Sequence, residues 1–203
     1  MFKLFQRTKE REAEHENPVP NIEAFMKENG ADDHGRTYQQ VIRYNDEQLE
    51  TDHTYIQWVF PTETPSMYNV TAPVVTKEEA DILSTEYEVR QEMHLMFIRM
   101  MLFYGIRLTS NISLEDAGHE AIILFKQDNR VSWTADPEIL DRWLRKNDHN
   151  LKRISRMLES LALFHMDTEH ETLSRIIDGL VTFKPEIKEW NCWDYWETYK
   201  NRN

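Results

Sequence analysis

A mainly α, irregular single-domain bundle of about seven helices, with a long pinned loop and room for one small β-hairpin, is the fold class this sequence predicts. Three observations carry it. Apolar residues recur at helical spacing through most of the chain. Helix-start signals precede several of those runs, and Gly or Pro ends them. The bulk numbers agree: 203 residues suit one domain, and 40% apolar with 11% aromatic residues supplies a core. A charged fraction of 30% then reads as solvated helix faces and not as disorder.

Residues 1–17 read as a flexible charged arm (Lys9 to Glu16 alternate in sign), and 18–203 as the helical domain. Phe2, Leu4 and Phe5 among Lys3, Arg7 and Lys9 offer a poorer alternative, an amphipathic membrane contact. Asn21 caps a short helix bearing Ile22, Phe25 and Met26, which Gly30 closes. After Gly35, Tyr38, Val41, Ile42 and Asn45 form the stripe of a second helix. Asp52 to Pro61 mixes His53, Tyr55 and Gln57 with Ile56, Trp58 and Phe60, and an irregular segment follows to Pro73. So much aromatic mass predicts a helix end entering a loop pinned to the core.

Thr76 with Glu79 is a capping box, so a helix starts near Lys77. From Ala80 to Leu102, apolar residues including Val89, Met93, Met96, Phe97, Met100 and Met101 keep helical spacing. Apolar residues cover much of the circumference near Leu95 to Phe103, which predicts the central buried helix, its methionines filling the core. Gly105 ends it. Ile106–Leu108 and Ala121–Phe125 are β-like runs that could pair as a hairpin, and Asn129-Arg130 marks a turn. Pro137 opens a helix with Ile139, Leu140, Trp143 and Leu144. Asn147 or Asp148 caps the next, whose stripe is Leu151, Ile154, Leu158, Leu161 and Ala162. Leu173, Ile176, Ile177 and Leu180 lie on another, broken by Pro185. Glu186 to Tyr199 places Trp190, Trp193 and Trp196 three residues apart, either packing the last helix down or anchoring an oligomer or partner interface.

A net charge of −12 disfavours nucleic acid and anionic lipid as partners. A lone cysteine, Cys192, makes neither an internal disulfide nor a cysteine zinc site, and it points to a reducing compartment, the cytoplasm. No apolar run is long enough for a membrane span. Glu50-x-x-His53, Asp116-x-x-His119 and Asp167-x-x-His170 have one-turn ligand spacing, but they fall at helix ends and lack the paired copies of a di-iron bundle. No metal, no cofactor and no catalytic residue is expected: a Gly-x-Ser-x-Gly elbow and a Gly-rich phosphate cradle are both missing.

The stretch His53-Thr54-Tyr55-Ile56-Gln57-Trp58-Val59-Phe60-Pro61, with Pro65, Asn69, Ala72, Pro73 and Thr76 after it, resembles the conserved N-terminal domain of the opioid growth factor receptor family. Leu102-Phe103-Tyr104-Gly105-Ile106-Arg107-Leu108 and His149 to Leu161 resemble two further blocks of that family, in the same order, spanning roughly 35–183. The resemblance implies a binding or interaction module. It does not extend to enkephalin binding, because no residue here specifies an opioid peptide.

The polar and aromatic members of these blocks form the candidate ligand-binding set: His53, Tyr55, Gln57, Trp58, Asn69, Tyr104, His149, Asn150 and Arg153. Two readings stand side by side. In one, they form an internal network that ties the loop to the helix begun by Asn150 and Arg153. In the other, they line a pocket in which Arg153 or His149 orients a peptide, protein or small anionic ligand. Arg153 and Arg156 could meet phosphate or pair with local acids. The alternative function is an enzyme acting on a small anionic or nucleotide-like substrate, with His53 or His149 as base and Arg153 as charge clamp.

Overall fold

The computed structural model describes residues 21–27, 30–112, 123–127 and 130–201. The described residues open with four short helices, α1 (Ile22–Lys27), α2 (Tyr38–Ile42), α3 (Asp46–Thr51) and α4 (Ile56–Val59). After a long loop come α5 (Lys77–Leu83) and α6 (Tyr87–Phe103), then β1 (Ile106–Ile112), β2 (Ile123–Gln127) and β3 (Arg130–Ala135). The remainder is α7 (Pro137–Trp143), α8 (His149–Leu163), α9 (Asp167–Phe183), a 3-10 turn over Pro185–Glu189, and α10 (Trp193–Lys200). The mainly α class holds, with ten α-helices among the described residues.

Local chemistry explains most boundaries. Asn21 Oδ1 accepts from the amides of Glu23 and Ala24. The pairs Thr37/Gln40, Asn45/Gln48 and Thr76/Glu79 close reciprocal capping boxes on α2, α3 and α5. Asp136 caps α7 ahead of Pro137, and Asp148 caps α8 after Asn147 takes a left-handed φ of 68°. The stripe expected after Gly35 is divided, because the Asn45 side chain starts a new helix instead of continuing the old one.

The long run from Ala80 is divided too. Ser84 Oγ and Thr85 Oγ1 donate to the carbonyls of Asp81 and Ile82, and such back-bonding hydroxyls compete with the helical ladder. α5 therefore stops at Leu83 and α6 starts afresh at Tyr87. The core face of α6 is the methionine face: Met93, Met96, Met100 and Met101 are all buried. Its outer face is not covered, since Leu95 is 40% and Leu102 49% exposed. A wide apolar surface on the helix therefore does not mean burial of all of it.

The sheet differs from the expected hairpin. Its order is β1-β3-β2, all antiparallel, so β1 and β2 each pair with β3 and not with one another. Leu108 and Phe125 both stand opposite Trp133. β2 ends at Gln127, which pairs with Arg130 at the start of β3, while Asn129, Ala121 and the arm 1–17 lie outside the described residues. The strand that sequence reading missed, Arg130 to Ala135, is too short to show a period of its own.

Around α8 the core closes. α9 and α10 pack on it, and the indole Nε1 of fully buried Trp196 donates to the Leu151 carbonyl at 3.3 Å. Among the described residues no helix is long and apolar enough to cross a membrane.

One recurrent device holds the short elements. Arg99 on α6 donates twice to the Tyr44 carbonyl beyond α2, at 3.0 and 2.8 Å. Arg156 on α8 donates to Phe60 O beyond α4 at 2.9 Å, and Lys184 after α9 donates to Leu144 O beyond α7 at 3.0 Å. Cations on or just after long helices thus bond carbonyls that lie just beyond the ends of their short neighbours.

Two glycines with left-handed φ separate backbone strain from packing. Gly35 (φ 77°) has open space where a Cβ would go, whereas a Cβ on Gly105 (φ 75°) would lie 2.7 Å from Ile139 Cβ. Gly35→Ala is expected to cost about 1 kcal/mol, the backbone penalty alone, and Gly105→Ala about 3 kcal/mol. Denaturant midpoints of the two variants check the difference; equal losses would refute the close packing of Ile139.

Candidate functional site

The family-like blocks meet where the first turns of α8 face the end of α3. Arg153, 5% exposed, is the centre. Its Nη1 donates to Leu49 O at 2.7 Å and to Asn150 Oδ1 at 3.1 Å. Its Nη2 donates to Asp52 O at 2.8 Å, to Glu50 O at 3.4 Å, and lies 3.4 Å from His53 Nδ1. The guanidinium also stands 5.3 Å from the centre of the Tyr55 ring. Leu49 and Glu50 carry two of the carbonyls that α3 leaves unpaired at its end, so this side chain caps a helix about a hundred residues earlier. Asn150 adds a bond from Nδ2 to Glu50 Oε2 at 3.1 Å.

Asp52 is gripped twice. Its carbonyl takes Arg153, while its carboxylate accepts from Arg36, Tyr44 and both the amide and hydroxyl of Thr54. Burial would raise its pKa, but the Thr54 bonds and Arg36 together outweigh burial and hold it below the usual value. Arg36 also bonds the buried carboxylate of Asp32.

At the surface of this cluster the rings of His53 and His149 meet edge-to-face, with centres 4.9 Å apart. His53 is exposed and His149 half-buried. His149 Nε2 lies 3.5 Å from Glu50 Oε1, and its Nδ1 3.7 Å from Asp148 Oδ1. Burial, then the neighbouring Arg153 guanidinium, lowers the His149 pKa despite those two carboxylates.

Gln57 and Asn69 sit beside the cluster and act on the loop. The Gln57 amide, oriented so that both ends are satisfied, donates to the carbonyls of Thr54 and His53 and accepts from Ser66 Oγ. Asn69 Nδ2 donates to Thr54 O at 3.2 Å.

Three members of the set, Tyr55, Trp58 and Tyr104, lie in the core. Trp58 is fully buried against Phe25, and Tyr104 is fully buried beside Trp143, whose Nε1 donates to the Tyr104 carbonyl. Of the three C-terminal tryptophans, Trp190 and Trp196 are buried, and Trp193 is partly exposed with Lys188 and Lys200 near its ring.

Arg153 and Arg156 have no carboxylate within ion-pair distance among the described residues; main-chain oxygens take that place. Burial, only partly countered by Glu159, lowers the Arg156 pKa to about 10. Burial likewise pushes the Cys192 thiol up to about 11, which makes it a poor nucleophile. Among the described residues no group of three or more His, Cys, Asp or Glu side chains could hold a metal ion. His170, of the Asp167-x-x-His170 pair, instead donates from Nε2 to Tyr199 O at 2.8 Å. A separate polar groove of 510 Å³, lined by Glu63, Lys77, Glu159, His165, Asp167 and Lys200 among others, includes none of the candidate set.

The partners that sequence reading missed are Glu50, Asp52 and the Leu49 carbonyl. Glu50 was visible only as one half of the Glu50-x-x-His53 spacing, which here serves hydrogen bonding.

Comparison with known proteins gives a consistent picture. Residues 14–200 match the region described as "Opioid growth factor receptor (OGFr) conserved region". The rat opioid growth factor receptor is 29% identical over 144 residues, which is 70% of this chain and 22% of the rat protein. The human receptor is 30% identical over 117 residues, 56% of this chain and 14% of its own length. Rat opioid growth factor receptor-like protein 1 is 31% identical over 116 residues, 57% of this chain and 21% of its own. The chain thus spans about a fifth or less of these relatives. No solved structure matches.

Two outcomes are expected of this cluster. Arg153→Lys offers one ammonium to carbonyls that lie on an arc and should cost about 3 kcal/mol, whereas His53→Ala should stay within about 0.5 kcal/mol, both read from chemical denaturation. The second is a pH dependence. Because the folded state disfavours protonated His149, its contribution is full above the ordinary pKa of 6.5 and is lost as pH falls through that value towards the lower folded one. His149→Gln should flatten the decline in Tm between about pH 7.5 and 5.5. An unchanged slope would show that the imidazole is not held neutral by its surroundings.

Proposed function

The chain belongs to the opioid growth factor receptor conserved-region family, and from that premise we propose that it is a non-enzymatic binding module whose ligand is another polypeptide. The observation that carries the reading is the employment of Arg153. A charge clamp for a small anionic substrate needs free donors, and this guanidinium gives its Nη atoms to Leu49, Glu50 and Asp52 carbonyls and to Asn150. Without a clamp, His53 and His149 lack the third party that an enzymatic role would require. The polar set acts instead as a frame that fixes the loop after α4, and a rigid loop suits recognition.

The relatives are named as receptors of a growth factor. What we carry over is the class, recognition of a polypeptide, and not the opioid. The lone buried Cys192 supports a reducing compartment such as the cytoplasm.

The test is selection of a displayed random dodecapeptide library on the immobilised folded chain. Enriched peptides that bind with dissociation constants on the order of micromolar are expected. No enrichment over a blank surface would refute the reading. A His53→Ala/His149→Ala variant should bind the selected peptides within about threefold of the parent, since neither ring is assigned a catalytic part.

A further inference from the structure

Between α4 and α5 the chain leaves the core at Thr62 and returns at Val75, both fully buried, and the Val75 amide donates to the Thr62 carbonyl at 3.2 Å. At the tip of the excursion Met67 is 89%, Tyr68 67% and Val70 85% exposed. Large side chains this bare, and this close in sequence, make an exposed patch of the kind that marks an interaction site.

The tip is not loose. Ser66 Oγ accepts from the amides of Tyr68 and Asn69 and bonds the Gln57 side chain. Asn69 donates to Thr54 O and accepts from the Thr71 amide, and the Thr71 hydroxyl meets the Asp33 carboxylate. Tied residues (66, 69, 71) thus alternate with projecting ones (67, 68, 70). The ordering entropy of the tip is lost on folding and need not be lost again on docking.

Charge identifies what the tip faces. Lys152 on α8 sets its Nζ 2.6 Å from the Tyr68 hydroxyl and 5.0 Å from the ring centre. Among the described residues no carboxylate lies within ion-pair distance of this ammonium, in a chain with 36 acidic side chains. A cation held beside an apolar tip, in a protein of net charge −12, complements a carboxylate supplied from outside.

We propose that residues 66–71 form a preorganised docking knob: Met67 and Val70 enter an apolar cleft or flank apolar side chains of a partner polypeptide, and an Asp, Glu or terminal carboxylate of that partner pairs with Lys152. This rests on the binding reading above and names its surface and its partner chemistry. A lipid surface fits less well, because one lysine faces an acidic whole and Glu63 and Asp33 stand near the tip.

The selected dodecapeptides provide the probe. They are titrated against the parent chain, Met67→Ser/Val70→Ser and Lys152→Glu. The expected result is a sequence set pairing apolar residues with Asp or Glu, bound about tenfold or more weakly by each variant while Tm stays unchanged. Lys152→Glu should in addition select peptides bearing Lys or Arg. Peptides that bind Met67→Ser/Val70→Ser as well as the parent would overturn the knob and leave the binding reading standing. Failure to enrich any peptide would remove both. Vesicles of phosphatidylcholine with about one-fifth phosphatidylserine are the companion probe. Sedimentation with the parent but not with Met67→Ser/Val70→Ser would make the tip a lipid-inserting loop and overturn the polypeptide partner.

Discussion

Helices of four to seven residues cannot sustain themselves in water, since the cost of nucleation is spread over too few bonds. In this chain α2, α3, α4 and α7 are all that short. What holds them is the capture of carbonyls at or just beyond their C-terminal ends by cationic side chains from other elements: Arg99, Arg153, Arg156 and Lys184. A buried guanidinium without a counter-ion is normally costly. Here the partial charges of several main-chain oxygens converge on it, and oxygens otherwise left without partners are satisfied at the same time.

Asp52 shows how far the rest depends on this. Arg153 takes its carbonyl and Arg36 its carboxylate, so a guanidinium from α8 and another from the turn before α2 fix the same residue. That residue sets the path of Thr54, and Thr54 in turn receives Gln57 and Asn69. The route from helix to loop is therefore continuous in hydrogen bonds. The buried aromatic residues on either side, Tyr55 and Trp58, exclude water from it.

This explains which parts could be read from the sequence. Capping boxes join residues three apart, so Thr76 and Glu79 announce α5 unaided, and Gly105 and Pro137 announce an end and a start in the same local way. The stripe of α8 was equally plain. The destination of Arg153 was not, because it lies about a hundred residues away and is main chain, which carries no residue identity. Tyr55, Trp58 and Tyr104 suggest a pocket in sequence because aromatic side chains look alike there whether they line a cleft or fill a core. The division between α5 and α6 turned on hydroxyls folding back on their own helix, a choice that Ser and Thr do not reveal by spacing. β3 was hidden because its pairing with two strands, one of them distant in sequence, creates the sheet.

The Thr62–Val75 bond at the neck of the excursion after α4 has a consequence for diversification. Chain on one side of that neck is bound into the frame by arginines; chain on the other contributes little to the core. Residues beyond the neck can be exchanged as a cassette, provided that Ser66 and Asn69 keep their bonds to Gln57 and Thr54. Outward side chains beyond the neck can therefore be rewritten while the core that the arginines hold stays as it is.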